Sequence, residues 1–101
     1  MTVKMVVLYT QPADADAFEQ HYRDVHAPLV DAIPGLLRWE SAKIVAAADG
    51  GEHTYSRTAE LYFADQAALG ASMSSPEGKA TAADFQDIAP PGSRLFIAAV
   101  D

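Results

Sequence analysis

Four breaks constrain what this chain can build. Gln11-Pro12, Pro34-Gly35, Asp49-Gly50-Gly51 and Pro90-Pro91-Gly92 combine residues that lack a backbone donor with residues that adopt turn geometry freely, so none suits the interior of a regular element. Each interval between them is long enough for one or two elements. Val3 to Tyr9 is apolar and rich in β-branched residues, which predicts a strand. Asp16 and Glu19 have the spacing of a capping box, and Phe18, Tyr22, Val25 and Leu29 then recur at helical spacing. Pro28 disfavours α geometry at Ala27, which predicts a kink or break near His26. Leu36 to Ala46 and Thr54 to Phe63 read as two strands of a hairpin turning at Asp49-Gly50-Gly51. Asp65 caps a helix through Met73, and Ser75-Pro76 restarts it as cap and first helical residue, to about Asp87. Ser93 to Val100 is a last strand.

The order β-α-β-β-α-β is the split βαβ arrangement. It predicts an α+β, ferredoxin-like fold: a four-stranded antiparallel sheet with both helices on one face, in a single domain over residues 1–101. Val3 to Tyr9 and Leu95 to Val100 are apolar on both faces, as covered strands are. Two helices cover one face only, and soluble monomers rarely expose a large apolar sheet. A homodimer whose paired sheets form a barrel resolves this, needing about 800 Å² of further burial per chain.

Composition narrows the partners. Seven Lys and Arg against 14 Asp and Glu give a formal net charge of -7, which repels nucleic acid and anionic lipid. With no cysteine, disulfides, thiolate metal sites and thiol nucleophiles are excluded. The N-terminal run lacks the pattern of a signal peptide, and Leu95 to Val100 is too short to span a bilayer. A cytoplasmic protein without nucleic-acid or membrane partners is expected.

The candidate chemistry centres on Tyr22 and His26, four residues apart on one helix face that also carries Phe18. Histidine is suited to moving a proton at neutral pH, and a nearby phenol could orient it or bind a carbonyl or enolate oxygen. In a cleft between helix and sheet this pair suits lactone, enol or quinone chemistry. The competing reading makes His26 a cap on the free carbonyls of a broken helix. Trp39 is either packing on the second strand or a flat wall for an aromatic ligand. Arg38 points to the opposite face, where Glu40 or Glu60 could pair with it. Glu60, in an otherwise apolar strand, is an interface ion pair or a pocket acid, and the interface is preferred. Tyr9 and Tyr62 are edge packing or pocket hydroxyls. His21 and His26 diverge by about 140° on an ideal helix, so no metal site is expected. No glycine loop for nucleotide phosphates is present.

The pattern Phe18-x3-Tyr22-x3-His26-x-Pro28-Leu29, followed by Ile33-Pro34-Gly35-Leu36, Ala59-Glu60-Leu61-Tyr62-Phe63 and Ser75-Pro76-Glu77-Gly78, resembles the EthD family of small dimeric α+β-barrel proteins. The resemblance covers nearly the whole chain and implies the fold and the dimer. Related barrels include lactone isomerases, polyketide cyclases and cofactor-free monooxygenases. Together the residues and the resemblance suggest an enzyme of catabolism or secondary metabolism that uses no cofactor. It would perform isomerase- or cyclase-type proton transfer on, or oxygenation of, a small apolar, often aromatic, oxygenated compound. His26 would be acid or base, Tyr22 its partner, and Phe18, Trp39, Tyr9 and Tyr62 the pocket. The alternative is a non-catalytic ligand binder or an accessory to a partner oxidase.

Overall fold

A computed structural model describes residues 1–101. Its elements run β1 (Val3–Thr10), α1 (Ala15–His21), a π-helical segment (Tyr22–His26), α2 (Ala27–Asp31), β2 (Arg38–Lys43), β3 (Tyr55–Phe63), α3 (Gln66–Ser74), α4 (Pro76–Ile88) and β4 (Arg94–Ala99). The sheet has the order β2-β3-β1-β4, antiparallel throughout, as the split βαβ order requires. Val3 stands opposite Phe63, Met5 opposite Leu61 and Val7 opposite Ala59. These odd-numbered positions share the face under the helices, because side chains alternate along a strand. With Tyr9, Phe18, Tyr22, Val30, Ile33 and Leu69, most of them form the buried core. Even-numbered positions of β1 and β3 point to the opposite, uncovered face.

Local chemistry explains most element ends. Asp65 accepts from the Ala68 amide and Ser75 from the Gly78 amide, each satisfying a donor with no intrahelical partner. The α3–α4 joint is tight. A Cβ on Gly78 would fall 2.3 Å from the Ser72 carbonyl oxygen, so the motif residues Ser75-Pro76-Glu77-Gly78 are a packing device. Gly35 takes a positive φ of 80° in the turn after α2.

Three expectations need correction. The first helix is capped by Asp14, which accepts from the Ala17 amide, and Glu19 is drawn instead to Arg57 across the fold. The second strand is shorter than Leu36 to Ala46, because at this edge Leu37 and Val45 turn to solvent. Most consequentially, Pro28 does not displace Ala27 from helical geometry, which stays at φ -58° and ψ -43°. The chain adjusts one turn earlier. The Ala27 amide donates to the Tyr22 carbonyl, five residues back, and the widened turn accommodates a proline ring that would otherwise crowd the carbonyl four residues before it. The irregularity falls where expected, but as a π bulge rather than a break. No helix is long and apolar enough to cross a membrane.

Candidate active site

The π segment determines what its side chains reach. A π turn takes about one more residue than the 3.6 of an α turn, so residues five apart return to nearly the same side. His21 and His26 therefore converge instead of diverging. His26 Nδ1 lies 2.7 Å from Asp84 Oδ2, and His21 Nε2 lies 2.8 Å from Asp84 Oδ1. One carboxylate from α4 thus holds two imidazoles from the first helix. No group of three or more His, Cys, Asp or Glu side chains is arranged to hold a metal ion.

His26 is buried, with 4 % of its surface exposed. Its second ring nitrogen, Nε2, is 3.3 Å from the Tyr9 hydroxyl. Both nitrogens face side chains, so the ring does not cap helix carbonyls as the competing reading had it. Burial pushes the His26 pKa below its ordinary 6.5, against the raising effect of Asp84. Burial would raise Asp84, but the hydrogen bonds of His21 and His26 outweigh it and its pKa falls below 3.8. At neutral pH a neutral imidazole therefore donates from Nδ1 to an ionised Asp84. Nε2 is left as an acceptor for the Tyr9 hydroxyl, whose own pKa burial drives upward.

His26 and Tyr9 form part of the wall of a cavity of about 140 Å³ between the helices and the sheet, with Asp84 behind the imidazole and outside the lining. Eleven of its 13 lining residues are hydrophobic, among them Val7, Leu61, Met73 and Phe85, and the polar exceptions are His26 and Thr81. Leu95 of β4, 45 % exposed, stands at its rim.

The expected site residues separate into three places. Tyr9, Tyr22 and His26 line the cavity. The Tyr22 ring stacks obliquely against His26, with centroids 5.2 Å apart, but its hydroxyl bonds to Ser41 Oγ at 2.9 Å, so Tyr9 takes the hydrogen-bonding position expected of Tyr22. Phe18 lies behind Tyr9, edge-on at 5.4 Å, outside the cavity lining. Trp39 is also outside, its indole donating to Asp31 at 2.7 Å. Tyr62 is on the uncovered sheet face, donating to Glu60, which pairs with Lys4 at 3.2 Å. Arg38 lies over the Tyr62 ring at 3.8 Å and reaches Glu40.

Two residues escaped sequence reasoning. Asp84 sits 58 positions from His26 and looks like one more acidic residue on a helix. The available signal was its place beside the inward stripe of Gly78, Thr81, Phe85 and Ile88 on α4. Arg57 points inward from β3 and is paired by two nitrogens with Glu19, while its guanidinium bonds Ser41 and lies 4.7 Å from the Tyr22 ring centroid. It fixes the Tyr22 ring from behind, and the pairing holds Glu19 below the usual carboxylate range.

Comparison with known proteins agrees with this architecture. The EthD domain model matches residues 10–89. An uncharacterised 11.0 kDa protein of the thcB–thcC intergenic region of Rhodococcus erythropolis is 37 % identical over 93 residues, spanning 92 % of this chain and 89 % of that protein. The crystal structure of an EthD family protein from Bacillus halodurans superimposes with a TM-score of 0.94 at 37 % identity, over 100 % of both chains. Two remoter structures share the fold. SnoaB, a cofactor-independent oxygenase of Streptomyces nogalater, has a TM-score of 0.69 at 16 % identity, over 98 % of this chain and 92 % of its own. A dimeric ferredoxin-like protein of Jannaschia has a TM-score of 0.74 at 15 % identity, over 99 % and 100 %.

Proposed function

We propose, for a chain that belongs to the EthD family, that it is a cofactor-independent enzyme of proton transfer acting on a small apolar oxygenated molecule, with His26 as its base. The observation that carries this reading is the line Asp84–His26–Tyr9 at the wall of an apolar cavity. A buried neutral imidazole with one nitrogen committed to a carboxylate presents its other nitrogen as a proton acceptor. His26 Nε2 takes a proton from an acidified C–H or O–H, and the electron pair stays on the ligand as an enolate or phenolate. Asp84 offsets the charge gained by the imidazolium through the Nδ1 hydrogen bond. The Tyr9 hydroxyl donates to the oxygen on which negative charge develops. Return of the proton to a different carbon completes an isomerisation. The Tyr22 ring holds the imidazole plane.

Oxygenation is the second reading, favoured by the shared fold of a cofactor-independent oxygenase. An enolate can reduce dioxygen directly, so the same base would serve. In either case the active unit is a homodimer. Phe96, 44 % exposed on edge strand β4, stands beside Val6 on the open sheet face, a surface that a second copy would cover, and a fold neighbour is dimeric.

The test is deuterium exchange at the acidic positions of small lactones, enolisable ketones and phenols in heavy water, followed by NMR with oxygen uptake monitored. His26→Ala and His26→Gln should each slow exchange by about 10²–10⁴-fold, the usual contribution of a general base. His26→Gln, which keeps a hydrogen-bonding side chain, should retain the dimer. Exchange at the wild-type rate in both variants would leave a binding or accessory protein as the better account.

A further inference from the structure

The cavity's volume, lining and one accepting nitrogen specify more than an apolar ligand. Resting on the reading of His26 as an acceptor in this site, we propose that the cavity takes a neutral single-ring molecule carrying one hydroxyl donor, a phenol or a ring enol of that size, and rejects carboxylate anions. A cavity of about 140 Å³ is close to the roughly 150 Å³ apolar space that holds one benzene. A fused bicyclic ring would overrun it at the exposed Leu95 rim. The lining gives ring faces and edges to pack on, with Tyr22, Phe85 and Tyr9 among the walls.

Charge decides the polar group. No Lys or Arg lines the cavity. Arg57, which lies over the Tyr22 ring, is committed to Glu19 and Ser41. The ionised group bonded to His26 is the Asp84 carboxylate, on the far side of the imidazole. A carboxylate ligand would enter without a counterion and close to a like charge, an arrangement that costs more than a pocket of this size returns.

Hydrogen bonding decides between a hydroxyl and a plain ring. His26 Nε2 accepts, and Tyr9 donates to it over a long 3.3 Å. A ligand oxygen on the cavity side of the pair, at the apex of a triangle with the two atoms, can reach both. The ligand O–H donates to Nε2, and the Tyr9 O–H turns to donate to the ligand oxygen. The ligand thereby satisfies both of its hydrogen-bonding capacities with two groups whose other partners are unchanged.

The experiment titrates the wild-type protein at neutral pH with phenol, fluorobenzene, benzoate and 1-naphthol, reading dissociation constants from NMR shifts of cavity methyl groups. Fluorobenzene has the shape of phenol without the donor. Phenol should bind about tenfold more tightly than fluorobenzene, and benzoate and 1-naphthol at least tenfold more weakly than phenol. In His26→Leu the preference for phenol over fluorobenzene should vanish. Equal affinity for phenol and fluorobenzene in the wild type overturns the hydroxyl assignment whether or not the variant folds. Benzoate or 1-naphthol binding as tightly as phenol overturns the charge or size assignment. These outcomes are separate from catalysis. A phenol preference alongside unchanged exchange in His26→Gln keeps this inference and removes the catalytic reading, and the reverse combination removes only this inference.

Discussion

The two faces of the sheet are built from alternate residues of the same strands, yet they handle charge in opposite ways. Under the helices, Val7, Tyr9, Ala59 and Leu61 are nearly fully buried, and the anions there are held by donors, Asp84 by His21 and His26 and Glu19 by Arg57. On the uncovered face, Lys4, Glu60, Tyr62 and Arg38 form a part-exposed cluster of pairs beside the apolar Val6, Leu8 and Phe96. Low dielectric on the first face makes a single carboxylate enough to fix an imidazole's orientation. On the second face the same kind of pairing is screened by water until another surface covers it. On the proposed function, the first face carries the chemistry and the second meets another copy.

The largest effect that separates the faces compares two phenylalanines. Phe63 is 0 % exposed on the helix side and Phe96 is 44 % exposed on the other. Phe63→Ala should cost about 3–5 kcal/mol of stability, measured by chemical denaturation. Phe96→Asp should leave the fold intact but convert the proposed dimer to the 10.8 kDa monomer in light scattering. A protein already monomeric in the wild type would remove the recognition role of the open face.

A smaller effect concerns Asp84. Asp84→Asn should lower turnover by about 10²-fold, at the low end of what general acid–base groups contribute. The sign of the pH shift sharpens the test. Asp84 raises the His26 pKa against burial, so losing its charge should move the acid limb of the rate profile to lower pH. A limb that moves upward would mean that His21, not Asp84, governs the ring.

These two predictions also mark what could be read from sequence. The βαββαβ order, the hairpin and the caps at Asp65 and Ser75 were legible because each depends on residues within a few positions. The apolar character of both faces of β1 and β4 suggested a second covering surface, and in the single chain that face stays open, with Val6 and Leu8 partly buried and Phe96 44 % exposed. Pro28 located the irregularity in the first helix but not its form, since a proline's neighbours can be accommodated by a kink or by a widened turn. That ambiguity hid the convergence of His21 and His26, because a 100° step per residue was assumed where the helix takes a smaller one. Asp84 was illegible because its role is set by packing α4 against the first helix, a contact over 58 residues. Tyr9 was legible as a pocket hydroxyl, but its bond to His26 needed the register of β1 under that helix.

The smallest effect is the pH dependence of stability: both faces should titrate in an acid window, and the helix side alone should have a second window near neutrality. His26 has a depressed pKa in the folded state. As pH falls below 6.5 the unfolded chain takes up a proton that the folded chain refuses, so stability is lost on going down through that range. Glu60 is held low chiefly by the Tyr62 hydroxyl and then by Lys4, so its contribution persists above 4.5 and is lost below it. Asp84 behaves likewise below 3.8. Melting temperatures should decline in the upper window for the wild type but not for His26→Phe. Glu60→Gln should flatten part of the lower window alone. Loss of both windows in one variant would mean that the faces are coupled.

The central claim is that His26 is a neutral, Nδ1-protonated imidazole whose Nε2 is an available acceptor. Heteronuclear NMR of the ring nitrogens across a pH titration reads this directly. The expected result at neutral pH is an unprotonated Nε2 and a protonated Nδ1, with titration only below the ordinary value of 6.5. A ring protonated at Nε2, or one already cationic at neutral pH, would contradict the account.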